Sequence, residues 1–161
     1  MKEPLGPVIK LVSGGQTGAD RAALDWAISQ GITHGGWCPK GRRAEGGRIP
    51  DRYRLRETAS PAYAARTEQN VQDSDGTVIF SVSPRLTGGT LLTYELAQQH
   101  RKPLLHLHRE TTLPERRLLA FLRQHSIRVL NVAGPRASQA PTVASFVAST
   151  LDRAMAEFHQ R

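Results

Sequence analysis

Two stretches of this chain repeat one local plan: a short apolar run ends in a glycine turn, and residues at helical spacing follow. In the first, Val8-Ile9-Lys10-Leu11-Val12 runs into Ser13-Gly14-Gly15-Gln16-Thr17-Gly18, after which Ala19, Ala22/Ala23 and Trp26/Ala27 recur on one helical face and Gly31 closes the helix. In the second, Gly76 to Ser81 runs toward Thr87-Gly88-Gly89-Thr90 and a helix to about His100. A strand turning through glycines into a helix is half of a βαβ unit. Further strands are expected over 32–37, 103–107 and 127–132, and helices over 61–72, from Pro114 onward and over 141–159, proline being suited to a first helical turn. Strands alternating with helices imply crossovers and a mostly parallel α/β sheet. At 161 residues, the chain is expected to form one domain over 1–161, with residues 1–7 a flexible lead-in.

Composition narrows the function classes. One cysteine, Cys38, excludes an internal disulfide framework and a cysteine-rich zinc site, and points to a reducing cytoplasm. No stretch approaches the roughly 20 apolar residues of a membrane helix. No histidine pair has a convincing metal-ligand spacing, so no metal site is expected. The formal net charge is +8, which points to an anionic partner. Lys40 to Glu57 hold seven basic and three acidic residues, so half of the excess sits in one Gly/Pro-rich loop.

Glycines at a strand-to-helix turn let backbone N–H groups converge on an anion. The Ser13–Gly18 turn lacks the lysine of a phosphate-binding Walker loop, and Ser13 replaces the first glycine of a dinucleotide fingerprint. Both glycine turns fall at strand carboxyl ends, where open α/β sheets bind ligands. Ser13, Gly14, Gly15, Gln16, Thr17 and Gly18 are therefore candidate ligand-binding residues, with Thr87, Gly88, Gly89 and Thr90 across the same crevice. Lys40, Arg42 and Arg43 are candidates for a flap that orders around the ligand, since arginine forks bind phosphate in a bidentate way. Cys38 is expected to be packing. On the helix over 61–72, Arg66 and Asn70 share a face and could reach over the sheet edge. Glu95 lies one turn into its helix, where it is equally well an ordinary acid near a helix N-terminus.

The segments 13–25, 35–50 (Gly-Gly-Trp-Cys-Pro-Lys-Gly-Arg-Arg-Ala-Glu-Gly-Gly-Arg-Ile-Pro), 66–77 and 88–90 together resemble the molybdenum carrier family, within the group that includes the lysine decarboxylase-like proteins and DNA-processing protein A. The resemblance covers roughly residues 8 to 150. It implies a Rossmann-like, doubly wound sheet with helices on both faces, frequent homo-oligomers, and molybdenum cofactor (molybdopterin) as bound ligand. It also implies molybdoenzymes or cofactor-synthesis proteins as partners. The phosphoribohydrolase relatives carry Pro-Gly-Gly-x-Gly-Thr-x-x-Glu. The stretch 87–95 keeps the Gly-Gly pair and Glu95 but lacks the proline and the second Gly-Thr, which weighs against hydrolysis.

The expected function is therefore binding of a phosphate-bearing small molecule, a cytoplasmic carrier rather than a catalyst. The alternatives are a nucleotide-monophosphate N-glycosidase using Glu95 and Arg66, and a sensor of a nucleotide-like phosphate ligand. Nucleic-acid binding is disfavoured, because few aromatic residues lie near the basic loop to stack bases.

Overall fold

The apolar run ending at Val12 and the fully buried run Gly76–Ser81 become strands of one sheet, with a third, Val129–Ala133, hydrogen-bonded between them. In the computed structural model, which describes residues 8–160, the elements are β1 (Lys10–Val12), α1 (Ala19–Gln30), β2 (Thr33–Gly35), β3 (Trp37–Cys38), β4 (Arg43–Ala44), β5 (Gly47–Arg48), β6 (Arg56–Glu57), α2 (Tyr63–Asp73), β7 (Gly76–Ser81), α3 (Gly88–Gln99), β8 (Leu104–His108), α4 (Pro114–Gln124), β9 (Val129–Ala133) and α5 (Val143–His159). The lead-in expected over 1–7 lies outside the described residues. The main sheet has five parallel strands in the order β2-β1-β9-β7-β8. Helices α1, α5 and α4 pack side by side on one face, and α2 with α3 on the other. This is the doubly wound, Rossmann-like α/β arrangement.

Specific contacts fix register and layers. The Asp75 carboxylate accepts the N–H groups of Arg128 and Val129, at 3.1 and 2.8 Å, and so sets where β9 enters the sheet. Asn131 Nδ2 donates to its register partner Thr77 at 3.1 Å, and both are buried. Phe80 of β7 meets Phe146 of α5 edge-on at 5.4 Å, and Trp26 Nε1 of α1 donates to Asp152 of α5 at 2.7 Å.

Two segments differ from the sequence expectation. The strand expected over 32–37 is broken at Gly36, which has φ +123 and packs so closely that a Cβ there would sit 2.3 Å from the Ser13 carbonyl oxygen. The chain pivots at this contact and leaves the main sheet. The expected loop from Cys38 onward holds small ladders instead: β3 pairs with β6, and β4 with β5. No helix among the described residues is long and apolar enough to cross a membrane.

Candidate functional site

The carboxyl end of β9 and the turns leading into α1 and α3 border a crevice of about 210 Å³. Gly14 and Gln16 line it from the turn after β1, and Gly89, Thr90 and Thr93 from the start of α3. Tyr63, Arg66, Thr67 and Asn70 line it from α2, and Asn131 to Arg136 from the end of β9. The two glycine turns thus face one another, and the Arg66/Asn70 face of α2 closes the side. The segment after β9 is the part that sequence reasoning misses. In the sequence it is a plain turn, although Gly134-Pro135 follows a strand just as the two glycine turns do.

The first turn is built around an anion of its own. Asp20 is buried in the first turn of α1, and its carboxylate accepts the Gln16 N–H at 3.1 Å. Arg66 Nη1 stands 3.5 Å from the same oxygen and donates to the Gly14 carbonyl at 2.9 Å. Burial pushes the Asp20 carboxyl above its ordinary range, opposed by Arg66 and by hydrogen bonding from Gln16, Ser13 and Gly14. Several other groups of this turn are also engaged. Ser13 Oγ donates to the Val132 carbonyl, Thr17 N–H to Gln16 Oε1, and Ala19 N–H to the Pro135 carbonyl. The cradle read from Ser13–Gly18 therefore holds the Asp20 carboxylate. Gly15 and Gly18 serve packing, against Ile49/Leu55 and against the Pro135–Ala137 backbone respectively.

The second turn is open. Thr87 provides no side-chain cap to α3, and the first amides of a helix have no carbonyl partner within it. A Cβ at Gly89 would meet nothing within 4 Å. The helix phase turns Thr90 and Thr93 inward and buries them, while Glu95 is exposed and does not line the crevice. Glu95 therefore has no access to a ligand bound there.

The basic loop is a set of internal staples rather than a free clamp. The buried Arg42 guanidinium donates to the carbonyls of Ile49 (3.1 Å), Pro50 (2.8 Å) and Tyr53 (2.8 Å). Carbonyls of its own loop thus occupy the fork that the sequence suggested for phosphate. Arg43 donates to the Pro61 carbonyl and stacks on Tyr63 at 4.4 Å, Arg48 pairs with Asp51, and Arg52 with Asp25. Neither Arg42 nor Arg43 lines the crevice, nor does the exposed Lys40. Cys38 is fully buried, and burial pushes its thiol up, as befits packing.

Glu45 straps this loop down. Its Oε2 accepts the Thr17 hydroxyl and the Ser138 N–H (3.1 Å), its Oε1 the Ser138 hydroxyl at 2.5 Å, and its own N–H donates to Gln16 Oε1 at 2.9 Å. The loop expected to order around a ligand is therefore already tied to the first glycine turn and to the segment after β9. The Ser138 and Thr17 hydroxyls hold the Glu45 carboxyl below its ordinary value. A depressed folded value gives a stabilisation that is complete above the unfolded value and fades as pH falls through the folded one. The urea midpoint of the wild type should thus drop on acidification below about pH 4.5 by more than that of Glu45→Gln, whose amide cannot titrate.

The cations at the crevice are Arg66 and Arg136. Both approach the Tyr63 ring, at 5.4 and 5.5 Å, with Arg43 on the same ring from outside. Arg66 is half-compensated by Asp20, whereas Arg136 has no ion pair or side-chain hydrogen bond among the described residues. Its field contributes to the lowered Glu45. The crevice thus offers two guanidinium groups and open helix amides, with Asp20 as the one lining carboxylate and that one occupied. Among the described residues no group of three His, Cys, Asp or Glu side chains is placed to hold a metal ion.

The family model for the circularly permutated YpsA SLOG family matches residues 11–155. The chain belongs to this family. The circularly permutated YpsA SLOG family carries its permutation visibly in this sheet. Were β9 and α5 placed before β1, the order β2-β1-β9-β7-β8 would read third, second, first, fourth, fifth, the doubly wound order. The crevice then lies between the first and fourth strands, at the switch point where such sheets bind ligands. A crystal structure of a "Putative molybdenum carrier protein" from Syntrophus aciditrophicus SB is similar, with TM-score 0.89 and 45% identity over 93% of this chain and 96% of that one. A search of curated proteins finds no match.

Proposed function

We propose that this protein binds a phosphate-bearing small molecule in the switch-point crevice and carries it without chemical change, with molybdenum cofactor as the favoured cargo. The observation that supports this most is Arg136, a guanidinium with no ion pair among the described residues, lining the same crevice as the open amino end of α3. Arg66 adds a second cation, and the 210 Å³ volume suits the phosphate-bearing end of a ligand whose remainder leaves through the mouth. The donor set fits the phosphate of such a cargo rather than its metal, since the lining offers arginines, amides and hydroxyls and no cysteine or histidine. The Syntrophus protein is named a molybdenum carrier, which agrees with a molybdenum-bearing cargo. On this reading the whole chain acts as a single cytoplasmic domain, passing its cargo to molybdoenzymes or to proteins of cofactor synthesis, and a homo-oligomer is the expected form.

Hydrolysis of a nucleotide has less support. Glu95 lies outside the crevice, and the carboxylate that does line it is committed to Gln16 N–H and Arg66. A nucleotide-like phosphate ligand bound without cleavage would use the same groups.

The test is binding of three probes by the purified protein: AMP and inorganic phosphate by calorimetry, and molybdenum cofactor by anaerobic transfer. Gly89→Val should fold normally, because its side chain enters open space, yet lose binding at least tenfold. Arg136→Ala should weaken each probe similarly, by about 1.5–3 kcal/mol for a charge-assisted hydrogen bond. Wild-type protein that takes up none of the three removes the crevice reading. Release of adenine from AMP removes the carrier reading.

A further inference from the structure

We infer that Gln16 is a specificity-determining residue of the crevice, whose Nε2 donates a hydrogen bond to an oxygen acceptor on the ligand; this rests on the binding reading above. Gln16 is 5% exposed, lines the crevice, and its Nε2 is the buried side-chain nitrogen left without a partner among the described residues. An amide is free to turn over, so an orphaned donor is informative only if the turn is fixed. Here it is. Oε1 accepts two backbone donors, Thr17 N–H at 3.0 Å and Glu45 N–H at 2.9 Å, and a reversed amide would set an NH2 group against both. The oxygen is therefore spoken for by the fold, and the nitrogen faces away from those two amides.

Buried donors are almost always satisfied in folded proteins, and one left unmade costs free energy. The protein carries that cost next to its two crevice arginines. A ligand bearing an acceptor at this depth removes it, while an analogue lacking the acceptor leaves the donor buried and dry, the arrangement by which sites reject a near-identical molecule. Arginine supplies attraction for any anion. Gln16 supplies a neutral, directional requirement, so the ligand class is an anion whose inner end presents a phosphoryl or carbonyl oxygen rather than an amine.

Gln16→Glu isolates this role. The carboxylate still accepts from Thr17 and Glu45, so the turn keeps both of its ties. At pH 8 the second oxygen replaces a donor by a negative acceptor, and binding of AMP or inorganic phosphate, whichever probe the wild type takes up more tightly, should fall at least thirtyfold. At pH 5 the introduced carboxyl, whose burial beside Asp20 and Glu45 favours the neutral acid, regains a donor, and the deficit relative to the wild type at the same pH should shrink to within about fivefold, a comparison that cancels the probe's own protonation at about pH 6. A thermal melt without probe at both pH values reports folding. Should Gln16→Glu prove unfolded at pH 8, Gln16→Asn, which withdraws the amide by one methylene, must lose at least fivefold in probe binding. Folded Gln16→Glu that binds the probe like the wild type at pH 8, or stays equally impaired at pH 5, overturns the assignment while leaving the crevice reading standing. Wild-type protein that takes up no probe overturns both.

Discussion

Replacing Gly18 by valine is expected to destabilise the protein by about 2–6 kcal/mol, a large share of the roughly 5–15 kcal/mol that holds a domain folded. Two causes add. The backbone at Gly18 has φ 82 and ψ −124, a region essentially reserved for glycine, and a side chain there costs about 1–3 kcal/mol. A Cβ would also lie 2.5 Å from the Pro135 carbonyl oxygen, 2.7 Å from the Ala137 nitrogen and 2.9 Å from the Arg136 carbonyl carbon. These are backbone atoms and cannot swing aside. Relief would require the 135–137 segment to move, which breaks the Ala19 N–H to Pro135 bond of 3.2 Å and withdraws Arg136 from the crevice. A forced approach of this kind costs about another 1–3 kcal/mol. Thermal melting and soluble yield measure the effect, with Gly89→Val as the control of equal bulk in open space. A Gly18→Val protein within about 0.5 kcal/mol of the wild type contradicts the close approach.

The same contact shows why part of the site was legible in the sequence and part was not. Strands β1 and β7 and both glycine turns are local patterns, and the chain displays them directly. The inward face of α3 is local as well. Thr90 and Thr93 are three apart and share a side with Leu96 and Ala97, so Glu95 falls off that side, and helix phase alone places it outside. What the sequence does not display is which distant backbone comes within reach of a side chain. Arg42 reads as a phosphate clamp because it is cationic and flanked by glycine. It is a staple because the fold brings the carbonyls of Ile49, Pro50 and Tyr53 around it. Arg136 carries no local signal in the sequence, since it sits in a plain turn after β9. It lines the crevice because β9 inserts between β1 and β7, an order fixed by long-range pairing and here permuted. Asp20 shows in the sequence as one polar residue among several. Only the folded turn shows that Gln16 N–H and Arg66 converge on it, so that the apparent anion cradle is filled from within.

That internal anion makes Arg66 the residue with the largest coupled effect. Arg66→Met should cost about 3–5 kcal/mol at pH 7, the usual result of removing one member of a buried ion pair. The loss arises less from the missing contacts to the Gly14 carbonyl and Thr67 hydroxyl than from leaving the Asp20 carboxylate buried without its cation. Burial already raises Asp20, and Arg66 is the first influence opposing that rise, so its removal pushes the folded value further up. A raised folded value stabilises the fold fully below the unfolded value near 3.8, and that stabilisation fades as pH climbs through the folded value. The variant should therefore regain stability between pH 7 and about pH 4.5, where the protonated acid needs no partner. Adding Asp20→Asn should recover more than half of the loss at pH 7, since the neutral amide oxygen can still accept the Gln16 N–H. Denaturant unfolding of the two single variants and the double variant at pH 4.5 and 7 gives the coupling directly. If Asp20→Asn brings no recovery, the pair does not carry the effect. If it does, the double variant should fold yet bind no anionic probe at the wild-type level, because the compensated site has lost one of the two guanidinium groups that line the crevice.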